Sequence, residues 1–299
     1  MVPRITARPF FRPETAALRY LPESPRMVGG QLMWVSIQHG PDSKQGGLNI
    51  LDPVTRVNRH HPLPGRPGFI GESGRPGELV IGLERRLVLY DVETRQVTAT
   101  LAEIPGNPRV IINDGIVIPG GAIFGTKDLQ FQDPIAALYR FDFGTGELRE
   151  LRGGQVCSNG KFLRDGVLVD IDSQPRTITE YAFDGGSLHP LRLIVPPESL
   201  PAIPDGLRPT PDGASIVVAF VNLDAGRDGL AQEIRLSDGA VLAEWLFPGA
   251  PRVTCPELAT LDGEPCWFFT TAAEGMSEEE LPLAPEAGTI FVAPATSGH

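Results

Sequence analysis

The chain has only three cysteines in 299 residues, Cys157, Cys255 and Cys266, and no C-x-x-C pair. That excludes a thiolate zinc site and a disulfide framework, and leaves the three as small core residues. The five histidines show no i, i+4 metal spacing, and His60-His61 reads as an exposed strand end. No G-x-S-x-G elbow and no G-x-x-x-x-G-K-[ST] loop is present, which argues against a serine hydrolase and a nucleotide-binding enzyme. Positive charge is short: the formal net charge is -11, against what phosphate or anionic lipid recognition needs. No apolar run approaches the roughly 18 residues of a membrane span. The first residues, MVPRITARPFF, lack a charged region followed by an apolar stretch, so a soluble cytoplasmic protein without signal peptide is expected.

What the chain has is turns. It carries 34 glycines and 30 prolines, spread along its length, with 41% apolar residues for a sizeable core. Long helical periodicity is scarce. Short runs rich in Val, Ile, Leu and aromatics, bounded by Gly, Asp, Asn or Pro, read as strands. One pattern recurs: an apolar strand, an acidic turn, another strand. It stands as LNILDPVTRV (48–57), LVLYDVETRQV (87–97), LYRFDFGTGEL (138–148), ITEYAFDGGSL (178–188) and EIRLSDGAVL (233–242). GTIFVAPATSG (288–298) keeps the strand and loses the turn. The turn acids Asp52, Asp91, Asp142, Asp184 and Asp238 lie 39, 51, 42 and 54 residues apart. Units of that size, each unable to bury both sheet faces alone, fit propeller blades stacked about an axis. The expected fold is all-β: a six-bladed β-propeller in one domain, 1–299, with about 1–16 as an extension. A strand over Ala17–Leu21 would complete the last blade, and the acidic 272–287 stretch would hold one helical turn. A pair of β-sandwiches is the alternative.

In a propeller the first strand of each blade faces the central channel, so residues entering these strands converge. Four entries share a character: PESPRM (22–27), INDGIVI (112–118), CSNGKFL (157–163) and PDGLRPT (204–210). Each joins Glu, Asn or Asp to Gly or another small residue. Singly these are ordinary turn signals. Four in successive units form a candidate constellation. Oxygen ligands without His or Cys suit a hard cation such as Ca2+, Mg2+ or Mn2+.

The same four stretches resemble the SMP-30/gluconolactonase/luciferin-regenerating-enzyme-like family of six-bladed propellers. Its motifs stand here as Glu23-Ser24-Pro25, Asn113-Asp114-Gly115 with Gly125-Thr126, Ser158-Asn159-Gly160 and Pro204-Asp205-Gly206. VTCPEL (253–258) and MSEEEL (276–281) are also similar, and the likeness runs from about residue 17 to 294. The resemblance implies one divalent metal in the channel, Ca2+ first, with Mg2+, Mn2+, Zn2+ or Fe2+ as alternatives. It implies Glu23, Asn159 and Asp205 as ligands and Asn113 as a substrate contact or support of the ligands. It implies hydrolysis of a sugar lactone or related cyclic ester, with Asp205 handling the proton.

Departures from the family pattern concern the substrate. Ile111 stands where the family often has an Arg, and Ser36 where it usually has Asp. Lys127 and Arg208 are the candidate replacement cations for binding substrate. The loop QHGPDSKQGG (38–47) is long enough to overhang the mouth. Two other readings stay open: hydrolysis of another ester or an organophosphate, and a ligand-binding propeller whose metal is structural. The partner expected is a small molecule, not nucleic acid or membrane.

Overall fold

A computed structural model describes residues 2–295. Residues 296–298 of the sixth repeat, and His299, lie outside the described residues. The described chain forms six sheets, each the blade of a propeller. Blades 1 to 4 are four-stranded and follow the chain, spanning 22–63, 67–103, 110–155 and 158–193. Their inner strands are Pro22–Val28, Pro67–Glu72, Val110–Ile118 and Ser158–Arg164. Blade 5 begins with inner strand Ile203–Pro209 and blade 6 with Val253–Leu261. The six inner strands touch their neighbours in a closed circle around the axis.

The recurring acids explain themselves in the hairpins that join the third and fourth strands of blades 1 to 5. Asp52 Oδ1 accepts from the N–H groups of Val54 and Thr55 at 2.8 and 3.1 Å. Asp91 accepts from Thr94, Asp142 from Gly144 and Thr145, Asp184 from Gly186 and Ser187, and Asp238 from Ala240. Each carboxylate thus satisfies the backbone of its own turn, as Asx turns do. Backbone donors hold the carboxyls of Asp52, Asp91, Asp142 and Asp184 below their usual range.

Between successive blades lies an apolar cluster, six in all among the described residues. Leu48, Ile50, Ile70 and Ile81 join blades 1 and 2; Phe69, Ile112 and Phe124 join 2 and 3. Leu138 and Leu168 link 3 to 4, and Ile171 with Ile216 links 4 to 5. Trp245 and Trp267 meet between blades 5 and 6 with ring centroids 6.3 Å apart. Trp34, Phe268 and Phe10 close the circle between 6 and 1.

Closure is made differently from the sequence expectation. Ala16–Tyr20 is a helix, not a strand. Thr15 caps it, its Oγ1 accepting from Leu18 N at 3.3 Å, and Ala-Ala-Leu-Arg favours helix. The closing strands lie earlier, in the segment read as an extension. Arg4–Thr6 adds a fifth, parallel strand to blade 5, pairing with Val241–Phe247. Arg8–Phe11 is the fourth strand of blade 6, antiparallel to Ile290–Pro294. The 272–287 stretch does hold a single helical turn, the 3-10 segment Leu281–Leu283. His61 is not exposed: it is buried, with Nδ1 3.2 Å from the Tyr90 hydroxyl.

The glycines of the S-N-G and P-D-G motifs are not turn residues. They sit inside inner strands, where the next blade presses against them. A Cβ on Gly160 would lie 2.3 Å from Leu207 N, and one on Gly206 would lie 2.6 Å from Cys255 Cβ. Only a residue without a side chain lets the inner strands approach this closely.

Candidate active site

Five of the six side chains singled out in the sequence line one cavity at one mouth of the channel. Glu23, Asn113, Lys127, Asn159 and Asp205 surround a space of about 180 Å³. A wider space of about 500 Å³ opens above it, sharing Lys127 and Asp205 and reaching Gln38 and Pro41 of the 38–47 loop.

Glu23 sits at a bulge. The register of Pro22–Val28 against its neighbour slips between Glu23 and Arg26, and Ser24 adopts φ +49°. That left-handed turn is held from both sides. Ser24 N donates to Glu23 Oε2 at 2.5 Å, and Ser24 Oγ accepts from Ile70 N at 3.3 Å. Thr254 Oγ1 donates to Pro22 O at 2.8 Å. The stiff Pro-Glu-Ser-Pro stretch therefore fixes a buried carboxylate at the axis.

A hydrogen-bonded chain connects the other motifs. Asn113 Nδ2 donates to Ser158 O at 3.0 Å and to Asn159 Oδ1 at 3.2 Å. Asn159 Nδ2 donates to Ser173 Oγ at 2.9 Å, and Ser173 Oγ donates to Pro204 O at 2.7 Å, one residue before Asp205. Blades 3, 4 and 5 are tied through this relay. It also commits the Asn159 nitrogen, leaving the amide oxygen as that side chain's ligating atom.

The electrostatics are those of crowded acids. Burial first, then the neighbouring Asp114, push the Glu23 carboxyl up to about 8. Burial, then Glu23, push Asp205 well above the usual carboxylate range. Asp114 lies below them, its Oδ1 accepting from Gly115 N and its Oδ2 3.7 Å from the fully buried Lys161 ammonium. Burial pushes the Cys157 thiol up, so it is no ready nucleophile.

Arg208 is the exception among the candidates. It lines a separate cavity, with Arg26, Lys161 and Glu257. Its Nε donates to Glu257 Oε2 at 3.0 Å, and its Nη2 to Pro25 O at 3.3 Å. It braces strands rather than facing the mouth, so the substrate-binding role expected of it is withdrawn. It lies three positions after Asp205 on the same strand, past the bulge between Pro204 and Leu207. Sequence reasoning also missed Ser173, Glu274 and Arg252, which line the mouth from other strand ends and carry no motif of their own.

A buried carboxylate, a half-buried one and an oriented amide oxygen, with no cation paired to either acid, fit a hard divalent ion. Among the described residues no group of three or more His, Cys, Asp or Glu side chains could hold a metal, and the third candidate ligand here is an amide.

A propeller with such a channel site defines a class, and comparison with known proteins defines the family. The SMP-30/gluconolactonase/LRE-like region matches residues 21–272, and the chain belongs to that family. L-arabinolactonase of Azospirillum brasilense is 29% identical over 239 residues, covering 78% of this chain and 75% of that protein. A putative sugar lactone lactonase, YvrE, of Bacillus subtilis (strain 168) is 23% identical over 274 residues, covering 90% and 88%. Among solved structures, the calcium-binding protein regucalcin from Agrobacterium tumefaciens superposes with a TM-score of 0.81 at 19% identity, covering 98% of this chain and 95% of that one. A luciferin-regenerating enzyme gives 0.78 at 19% identity, covering 93% and 92%. Both structures carry the same six-bladed fold. Among the described residues no helix is long and apolar enough to cross a membrane.

Proposed function

We propose that the protein is a metal-dependent lactonase, opening a sugar lactone or related cyclic ester at the mouth lined by Glu23, Asn159 and Asp205. The observation that carries this reading is the convergence of these three oxygen donors from blades 1, 4 and 5 on one cavity. Kinship to two proteins named as lactonases supports the reaction class.

Glu23, Asn159 and Asp205 would hold the ion, with Ca2+ favoured by the all-oxygen set. A divalent cation bound there supplies a Lewis acid for the ester carbonyl and for charge developing on its oxygen. Asp205 takes a proton from the attacking water and returns it to the ring oxygen. The water oxygen bonds to the acyl carbon, the ring C–O bond breaks, and the product is a hydroxy acid. Part of Asp205 is open to the cavity, which leaves a carboxylate oxygen for the proton. Asn113 orients Asn159 through its hydrogen bond. Lys127 reaches the substrate from the wall.

The test is metal content after purification, followed by pH-indicator assays on a lactone panel with and without chelator. Chelator-sensitive turnover that returns with added Ca2+ is expected. Tightly bound metal with no turnover of any ester would leave a ligand-binding propeller.

A further inference from the structure

Lys127 and Arg252 are both more than nine-tenths buried. Among the described residues neither side chain makes a hydrogen bond or an ion pair. Lys127 stands over the Phe131 ring, its ammonium 5.4 Å from the centroid, and feels the charges of Glu23 and Asp205. Arg252 Nε is buried without a partner. Both cations line the wide mouth above Asp205.

Their mounting is rigid. Lys127 lies directly across the ladder from Ile111, and its backbone also bridges to Cys157 in blade 4. Arg252 bridges by backbone to Val221, and its carbonyl accepts from Ala272 N at 2.9 Å. Each cation thus stands at a junction between two blades. Leaving a charge buried and unpaired is costly, and the cost falls when an anion arrives.

The remaining polar groups are poorly placed for a ring of hydroxyls. Asn113, Asn159 and Ser173 spend donors on one another and on backbone carbonyls. Arg66, also at the mouth, is paired with Glu84. Leu21, Phe131, Val221 and Leu223 supply apolar wall. With a divalent cation offsetting Glu23 and Asp205, the field of Lys127 and Arg252 is opposed by Glu274 at the mouth and by Glu280 beside Arg252, neither at ion-pair distance. The apolar wall strengthens that field.

We infer that the preferred substrate is an acidic lactone, one whose ring bears a carboxylate or phosphate seated between Lys127 and Arg252. This rests on the lactonase reading and narrows it. The negative group is matched by the two unpartnered cations, while the ester carbonyl points down toward Glu23, Asn159 and Asp205.

The holoenzyme is assayed on matched lactones with the same ring: neutral, carboxylate-bearing, the methyl ester of the latter, and phosphate-bearing. One charge-assisted contact predicts at least about tenfold higher kcat/KM for the acid than for its methyl ester, mostly through KM. Lys127→Met and Arg252→Lys should each shrink that ratio, and melting curves establish that they fold. Preference for the phosphate over the carboxylate keeps the anion site and names its source. Equal rates on acid and methyl ester overturn the inference and leave the lactonase reading standing. A separate calorimetric titration of the calcium-loaded protein with glutarate distinguishes the two failures. If no lactone is hydrolysed but glutarate binds and Lys127→Met weakens it, the anion site survives and the lactonase reading does not. If glutarate binds Lys127→Met as well as wild type, the site is refuted.

Discussion

At the scale of single residues, the site is governed by two acids whose carboxyls burial and neighbouring acids push up. Glu23 must lose its proton to bind a cation. With its pKa pushed up to about 8 and Asp205 raised as well, cation affinity should climb as pH rises from 6 through 8, as calorimetric titrations with Ca2+ across that range will show. The stability linkage has the matching sign. The folded pKa lies above the unfolded value of 4.5, so the stabilisation from protonated Glu23 is complete below 4.5 and is lost as pH rises through about 8. The metal-free protein should therefore melt lower at pH 9 than at pH 6, and added Ca2+ should narrow the gap. Glu23→Ala should remove bound metal and activity together and leave a folded propeller by circular dichroism. Asp205→Asn should cost at least about 100-fold in kcat, the scale of a lost general base; full activity with metal retained would exclude Asp205 from proton transfer. Most of these residues were legible in the sequence because each is a polar side chain beside a small residue at a strand entry. Arg252 was not, because its bridging partner, Val221, lies 31 positions earlier and no local pattern joins them. Arg208 misled for the opposite reason: near Asp205 in sequence, it is carried down the channel by its extended strand.

At the scale of elements, the inner strands decide the geometry. Their glycines permit close approach between blades, and Cβ atoms at Gly160 and Gly206 would collide with backbone or a buried cysteine. Gly160→Ala should lower stability by roughly 1–3 kcal/mol, the usual cost of overpacking, in urea unfolding. It should also weaken metal binding, since Asn159 and Asp205 flank that contact. A Gly160→Ala protein of wild-type stability would mean that the strands can separate freely. The hairpin acids were visible as a repeat, and their spacing carried the blade count. The misread element was Ala16–Tyr20, whose apolar residues suit either a strand or a capped helix. Thr15 decides for the helix, and a single cap is a weak signal within an all-β pattern.

At the scale of the whole molecule, six apolar clusters between blades make a ring that is only as firm as its closure. Two short strands near the N-terminus, Arg4–Thr6 and Arg8–Phe11, cover the outer edges of blades 5 and 6. Phe10 enters the cluster between blades 6 and 1 and packs edge-on against Phe268 at 4.7 Å. Removing residues 1–11 should cost at least the burial of Phe10, about 2 kcal/mol, and leave sheet edges open. A lower Tm and concentration-dependent association in sedimentation are expected; an unchanged Tm would show that blade 6 closes without its fourth strand.

The strands at residues 4–11 leave the ribosome well before their partners, 241–247 and 290–294. At ordinary rates of translation that interval is on the order of tens of seconds. Throughout it, blades 1 to 4 can assemble in order while the leading strands wait unpaired. Over that interval the newborn chain carries strands whose partners do not yet exist, and whatever shields them in the cell has a share in making the site.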